Sequence, residues 1–161
     1  MSTVTEGATA RRFELIAPEE VGRMTGLEAM RAMVEGRLPP PPIAAVMQMD
    51  LVEIGDGSAV FEGRPGQQFY NPIGVVHGGW PATLLDSCMG CAIHTTMAAG
   101  ARYTTLELKV NYVRSVMADS GPLRAEGRVI HRGQRTATAD GRLVDGDGKL
   151  FAHGSTTCII L

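Results

Sequence analysis

Apolar positions along this chain follow three different rhythms, and each predicts a different kind of element. Between Thr25 and Gly36 they fall at Leu27, Met30, Ala32, Met33 and Val34, the rough stripe of a surface helix. Thr25 and Glu28, three residues apart, have the form of a capping box that starts it, and Gly36 is the expected C-terminal cap. The run Leu38 to Pro42, with four consecutive prolines, cannot lie inside a helix and reads as a stiff connector. From Met49 the period shortens to two. Two short strand-like runs meet at Asp56-Gly57, a good hairpin turn.

From Gly78 to about Ala98 the chain is apolar almost without interruption, which predicts one long helix buried on most of its sides. Alternation then returns. The stretch 104–116 places Leu106, Leu108, Val110 and Tyr112 on one face, and further strand signals follow over 122–160. Turn residues divide that last region at Arg132-Gly133 and at Asp145-Gly146-Asp147-Gly148. Residues 1 to about 12 read as a mobile tail.

A hairpin, one central helix and a long antiparallel run have a simple packing solution. The class is α+β, with the sheet curling around the helix. Any side left open would be sealed by a second copy of the chain, so a dimer is expected. The expected division is an N-terminal tail, helix and proline connector over 1–45, then one compact domain over 46–161.

Composition changes this picture little. The 161 residues are 44% hydrophobic and 20% charged, with a net charge of −2. Nothing basic enough for nucleic acid or an anionic membrane is present. The stretch 73–101 is long enough to span a bilayer, yet it holds His77, Pro81, Asp86 and His94, which favours a buried soluble helix. The first twenty residues lack an apolar signal core, so the expected location is cytoplasmic. Cys88, Cys91 and Cys158 make an odd count without framework spacing. Cys88-x-x-Cys91 lies mid-helix and is read as core packing, with no metal or other cofactor expected.

The chemistry concentrates in "NPIGVVHGGWPATLLDSCMG", residues 71–90. Asp86 is the one full charge between Ile73 and Ala101, histidines aside, and a lone acid in apolar surroundings is costly to keep ionised. It is either satisfied locally, with Thr83 as donor, or a carboxylate placed to act as a base. Gly78 and Gly79 stand at the helix start, with Trp80-Pro81 in its first turn. They either permit a tight turn or let a ligand oxygen approach the free N–H groups there. His77 can position this loop, act as a base or bind a metal. Asn71 can hold a turn or meet a substrate. On one helix, eight residues put Asp86 roughly 12 Å from Gly78. A site using both is therefore easiest to build from two side-by-side helices of a dimer. No serine-nucleophile elbow, P-loop, dinucleotide fingerprint or zinc-protease motif is present.

The spacing N-x5-HGG-x7-D, from Asn71 through His77, Gly78 and Gly79 to Asp86, resembles the signature of hotdog-fold acyl-CoA thioesterases. The phenylacetate-degradation and hydroxybenzoyl-CoA types are the most similar. Residues 104–116 and 135–158 resemble that family's next strand and closing hairpin. The resemblance implies a hotdog fold, an acyl-CoA substrate, and a homodimer or homotetramer with the site between subunits. It implies that Asp86 acts as general base or nucleophile and that the Gly78 N–H polarises the thioester carbonyl. His77 would support the loop or thioester, Asn71 would place the water, and Thr105 matches an accessory hydroxyl on the following strand. Regular alternation, however, would put Thr105 on the face opposite Leu106 and Leu108. Gly79 and Trp80 are candidates for substrate contact, and Arg114, Arg132 and Arg135 for the coenzyme A phosphates. A dehydratase or hydratase pairing His77 with Asp86, and a non-catalytic acyl-CoA binder, are the alternatives.

Overall fold

A computed structural model describes residues 12–161. The expected N-terminal tail lies outside the described residues, apart from Arg12. Among these residues are four α-helices, a short 3-10 turn (Gln67–Phe69) and six strands: α1 (Pro18–Val21), α2 (Gly26–Val34), α3 (Pro42–Met47), β1 (Met49–Gly55), β2 (Ser58–Gly63), α4 (Gly79–Thr95), β3 (Tyr103–Tyr112), β4 (Leu123–Arg132), β5 (Thr136–Val144) and β6 (Leu150–Ile160). All strand pairs are antiparallel, in the order β1-β2-β4-β5-β6-β3. The class is α+β, a curved sheet around one long helix, as expected. One connection differs from a simple meander: after α4 the chain returns at the far edge as β3, beside β6.

The capping box forms as written. The Thr25 hydroxyl accepts from the Glu28 N–H, and Glu28 accepts from the Thr25 N–H at 2.8 Å. At the other end Gly36 has φ +73°, with the Arg37 N–H donating to Ala32 O and the Gly36 N–H to Met33 O, a full Schellman closure. The proline run is a connector only as far as Pro41. Pro42 occupies the first turn of α3, where its missing N–H costs nothing. That six-residue helix was not foreseen, and it straddles the expected boundary at 45/46.

α4 carries the core. Trp80, Leu84, Leu85, Cys88, Met89, Ala92 and Ile93 are all buried, facing Phe61, Leu123, Ala125, Ala139, Leu143 and Cys158 of the sheet. The helix approaches so closely that a Cβ on Gly127 would overlap the Cys88 backbone. Cys88 is fully buried and Cys91 partly buried against the same core, matching the reading of the Cys-x-x-Cys string, and Cys158 is buried too. α2 lies across the C-terminal end of α4. The Gly26 N–H donates to Met97 O at 3.0 Å, and any side chain at Gly26 would collide with the His94 carbonyl. No helix among the described residues is long and apolar enough to cross a membrane.

Candidate active site

The loop before α4 is held by its own polar groups. The Asn71 side-chain oxygen accepts from the Ile73 and Val75 N–H groups, and Gly74 turns with φ +81°. Asn71 thus holds the turn through its oxygen. His77 Nδ1 accepts from the Gly79 N–H at 2.9 Å, and the His77 carbonyl accepts from Trp80. Pro81 has no N–H to offer, and the Ala82 N–H goes to Gly78 O. Among the described residues, the Gly78 N–H is therefore the one donor of the first turn left without a partner. It sits at the positive end of a 17-residue helix.

Gly78 is fixed from the far edge of the sheet. The Tyr112 hydroxyl donates to Gly78 O at 2.8 Å, and a Cβ on Gly78 would lie 3.2 Å from that ring. Since Gly78 has φ −57°, its glycine identity reflects close approach and not backbone strain. Tyr112 shares a face with Leu108 and Val110, as expected, but sequence reasoning missed its contact with Gly78. The tyrosine is 56% exposed at the strand end and borders a cleft of about 280 Å³ with Asn71, Gly78 and Arg114.

Two turns along α4, Asp86 is half-buried, and its Oδ1 accepts from the Thr105 hydroxyl at 3.0 Å. Thr83 is not its donor; that hydroxyl bonds back to Gly79 O. Asp86 Oδ2 has no hydrogen-bond partner among the described residues. The conflict over the face of Thr105 is resolved by a β-bulge. The register of β3 against β6 shifts between Thr105 and Glu107, so the extra residue, Leu106, turns outward and is 59% exposed. Thr105 pairs with Cys158 and Leu108 with Thr156, which brings both onto the inner face. The expectation that Leu106 shares a face with Leu108 is therefore corrected.

The remaining candidates are scattered. The Trp80 ring is 2% exposed, tilted against Phe69, and its Nε1 donates to Met47 O at 2.9 Å; it is built into the core. The Gly79 N–H is taken by His77. Arg114 sits at the rim of the 280 Å³ cleft, its guanidinium 5.7 Å from the Phe151 ring centre and bonded to Leu150 O. Arg135 lies beyond the other end of β3, beside Ile160, and Arg132 turns onto Gly133 O. Within one chain Arg114 and Arg135 stand a full ten-residue strand apart, ~33 Å.

The negative charge of Asp86 is felt by its neighbours. Burial first, and then that carboxylate, push the Cys91 thiol up to about 12, and burial, with smaller contributions from Cys91, Cys158 and Asp86, holds the Tyr103 phenol well above its ordinary range. The site thus combines a free helix-start amide, fixed by Tyr112, with a carboxylate oriented by Thr105 and open on one oxygen.

Comparison with known proteins gives this geometry its family. The family model described as the thioesterase superfamily matches residues 73–152. A solved phenylacetic acid degradation-related protein of Ralstonia eutropha JMP134 is 30% identical, covering 81% of this chain and 98% of its own, with a TM-score of 0.73. The chain belongs to the thioesterase superfamily. A conserved protein of Pseudomonas aeruginosa is 35% identical over 74% of this chain and 94% of its own, with a TM-score of 0.69. The 1,4-dihydroxy-2-naphthoyl-CoA hydrolase of Escherichia coli K12 is 27% identical over 86% of this chain and 97% of that enzyme. Thioester hydrolysis is the reaction class of this family, and the free amide and open carboxylate suit it.

Proposed function

We propose that the protein hydrolyses acyl-CoA thioesters at a site completed by a second copy of the chain. Asp86 of one protomer directs water, and the Gly78 N–H of its partner holds the carbonyl oxygen. The observation that carries this reading is the pairing of one free amide at Gly78 with one free carboxylate oxygen on Asp86, ~12 Å apart on one helix. Two antiparallel α4 helices would bring each amide to the other's acid.

The second copy has a place to dock. β3 is a ten-residue edge strand, hydrogen-bonded on one side only, with Leu106 and Tyr112 more than half exposed and Val113, just past its end, likewise. A long, unpaired edge invites a partner strand. Antiparallel pairing of β3 with β3 of the partner would also bring Arg135 of one protomer toward the Arg114 cleft of the other, for coenzyme A phosphates. Dimer or tetramer, the site requires at least two copies. On this reading residues 46–161 form the thioesterase domain, and the segment before it is a cap.

In the reaction, Asp86 takes a proton from water as the water oxygen bonds to the acyl carbon. The former carbonyl oxygen, now an oxyanion, is held by the Gly78 N–H. The carbon–sulfur bond then breaks, the thiolate leaves with the electron pair, and the proton on Asp86 returns to it or to solvent. A thiolate leaves readily, so this small set of groups is sufficient. One oxyanion donor contributes about 2.7–4 kcal/mol, and a positioned base ~10²–10⁴ in rate. A dehydratase pairing of His77 with Asp86 draws no support, since His77 Nδ1 already accepts from Gly79. Thiol release from an acyl-CoA panel, with Asp86→Asn beside wild type, tests the reading; equal rates would remove Asp86 from the mechanism.

A further inference from the structure

The sheet wraps α4 without closing, and the gap between its two edges is roofed by the N-terminal segment. Under that roof lies a cavity of about 190 Å³, bounded by Met30 and Met33 of α2, Ala44 of α3, Leu51 and Phe61 of the hairpin, and Tyr103 of β3. Its floor is Cys91 and His94 of α4. It holds no carboxylate, lysine or arginine. Burial lowers the pKa of His94 below its ordinary value.

Its position matters more than its polarity. Cys91 is five residues beyond Asp86, ~7.5 Å along the helix. Tyr103 stands on the same inner face as Thr105, the donor to Asp86, and its ring rests on Gly90, one turn past Asp86. A side chain at Gly90 would come within 3.2 Å of the Tyr103 hydroxyl, so the glycine makes room for the ring. The Tyr103 hydroxyl and the His94 ring have no hydrogen-bond partner among the described residues; the two rings stand 5.5 Å apart.

From this geometry we infer that the cavity receives the acyl group, and that Met30, Met33 and Tyr103 set its size limit. The inference rests on the thioesterase reading above. With its carbonyl carbon beside Asp86, an acyl group running past Gly90 and Tyr103 toward the C-terminal end of α4 would approach this space. The volume sets the class. An apolar cavity of about 150 Å³ accommodates a benzene ring, so 190 Å³ suits one ring or an unbranched chain of similar bulk. A long fatty acyl chain does not fit. The roof is firmly seated, since Gly26 locks α2 to the end of α4. Substrate choice is thus made partly by the segment preceding the sheet.

The experiment compares kcat/KM for acetyl-, hexanoyl-, benzoyl- and palmitoyl-CoA in wild type, Met33→Trp and Met33→Ala. Ratios within one variant are used, because they are insensitive to any fraction that fails to fold. The hexanoyl or benzoyl substrate should lead in wild type, with palmitoyl-CoA at least about tenfold lower. Met33→Trp, which fills the cavity, should cut the benzoyl-to-acetyl ratio by about tenfold or more. Met33→Ala should move the preference toward longer chains. Ratios unchanged in both variants, or palmitoyl-CoA preferred by wild type, would overturn the inference while leaving the hydrolase reading intact. Absence of thiol release from every substrate would instead overturn the hydrolase reading, and full activity in Asp86→Asn would remove Asp86 from the mechanism.

Discussion

Replacing Gly78 by proline deletes the amide on which the proposed chemistry depends while asking little of the backbone. Gly78 already has φ −57°, close to the value a proline ring imposes. Its N–H has no partner among the described residues, so no structural hydrogen bond is lost. What proline adds is a ring: a Cβ, which would lie 3.2 Å from the Tyr112 ring and hydroxyl, and the Cγ and Cδ that take the place of the amide hydrogen. Gly78→Ala adds the same Cβ and keeps the N–H, and so serves as the control. The alanine variant should lose only what a shift of Tyr112 by a few tenths of an ångström costs, about 1 kcal/mol or several-fold in kcat. The proline variant should lose a further ~10²–10³ in kcat, the usual cost of removing one oxyanion donor. KM should move much less, because the amide binds the developing charge more strongly than the ground-state carbonyl. The assay is continuous thiol release under saturating acyl-CoA, with thermal unfolding to confirm that both variants fold. If the two variants are equally active, the Gly78 N–H does not hold the oxyanion.

Three further outcomes follow from particular contacts. Thr105→Val removes the donor to Asp86; a hydrogen bond to a half-buried charge is worth about 1.5 kcal/mol, so kcat should fall ~10-fold with KM held. Thr105→Ser should restore most of it, and an unaffected kcat in the valine variant would show that Thr105 does not orient the acid. Gly127→Ala forces a methyl into the Cys88 backbone and should cost about 3 kcal/mol, or roughly 10 °C in Tm; an unchanged melting curve would mean that α4 and the sheet can separate freely. Burial lowers the folded-state pKa of His94 below its ordinary 6.5, so as pH falls below that value the unfolded chain takes the proton first and stability drops. The loss of Tm between pH 7.5 and 5 should be smaller in His94→Gln than in wild type, and parallel curves would contradict this.

The parts of this molecule legible in the sequence are those written in local pattern. The capping box at Thr25, the Asp56-Gly57 hairpin and the long apolar helix each depend on neighbours within a turn or two, and each is present. Asp86 stood out because charge is absent around it. What pattern could not supply was the bulge at Leu106. One extra residue inverts the alternation, and only pairing with β6 reveals which side of it Thr105 occupies. Tyr112 keeps the face it shares with Leu108 and Val110, but its partner at Gly78 is 34 residues away and no local pattern announces it. Helix α3 was hidden by the proline run, since Pro42 both ends a connector and opens a helix. The bulge and the Tyr112–Gly78 contact are nonlocal, and both fall where strand β3 meets the site.

The claim that the site is shared between protomers has a test independent of any crystal. In a C2 dimer, each proposed site draws its acid from one chain and its amide from the other. Take Asp86→Asn and Gly78→Pro, each inactive as a pure dimer because every site lacks one group. When the two are unfolded together and refolded, half of the dimers formed at random are mixed. In a mixed dimer, one site combines both defects and the other combines the intact Gly78 of the first variant with the intact Asp86 of the second. Activity should therefore return to roughly a quarter of wild type. If acid and amide worked within one chain, each site would still carry a defect and mixing would restore nothing. Leu106→Arg gives the companion result: a charge placed on the exposed β3 edge should weaken association and lower activity in proportion to the dimer lost, as read by sedimentation and thiol release on the same samples. Full activity in a monomeric Leu106→Arg protein would rule out the shared site.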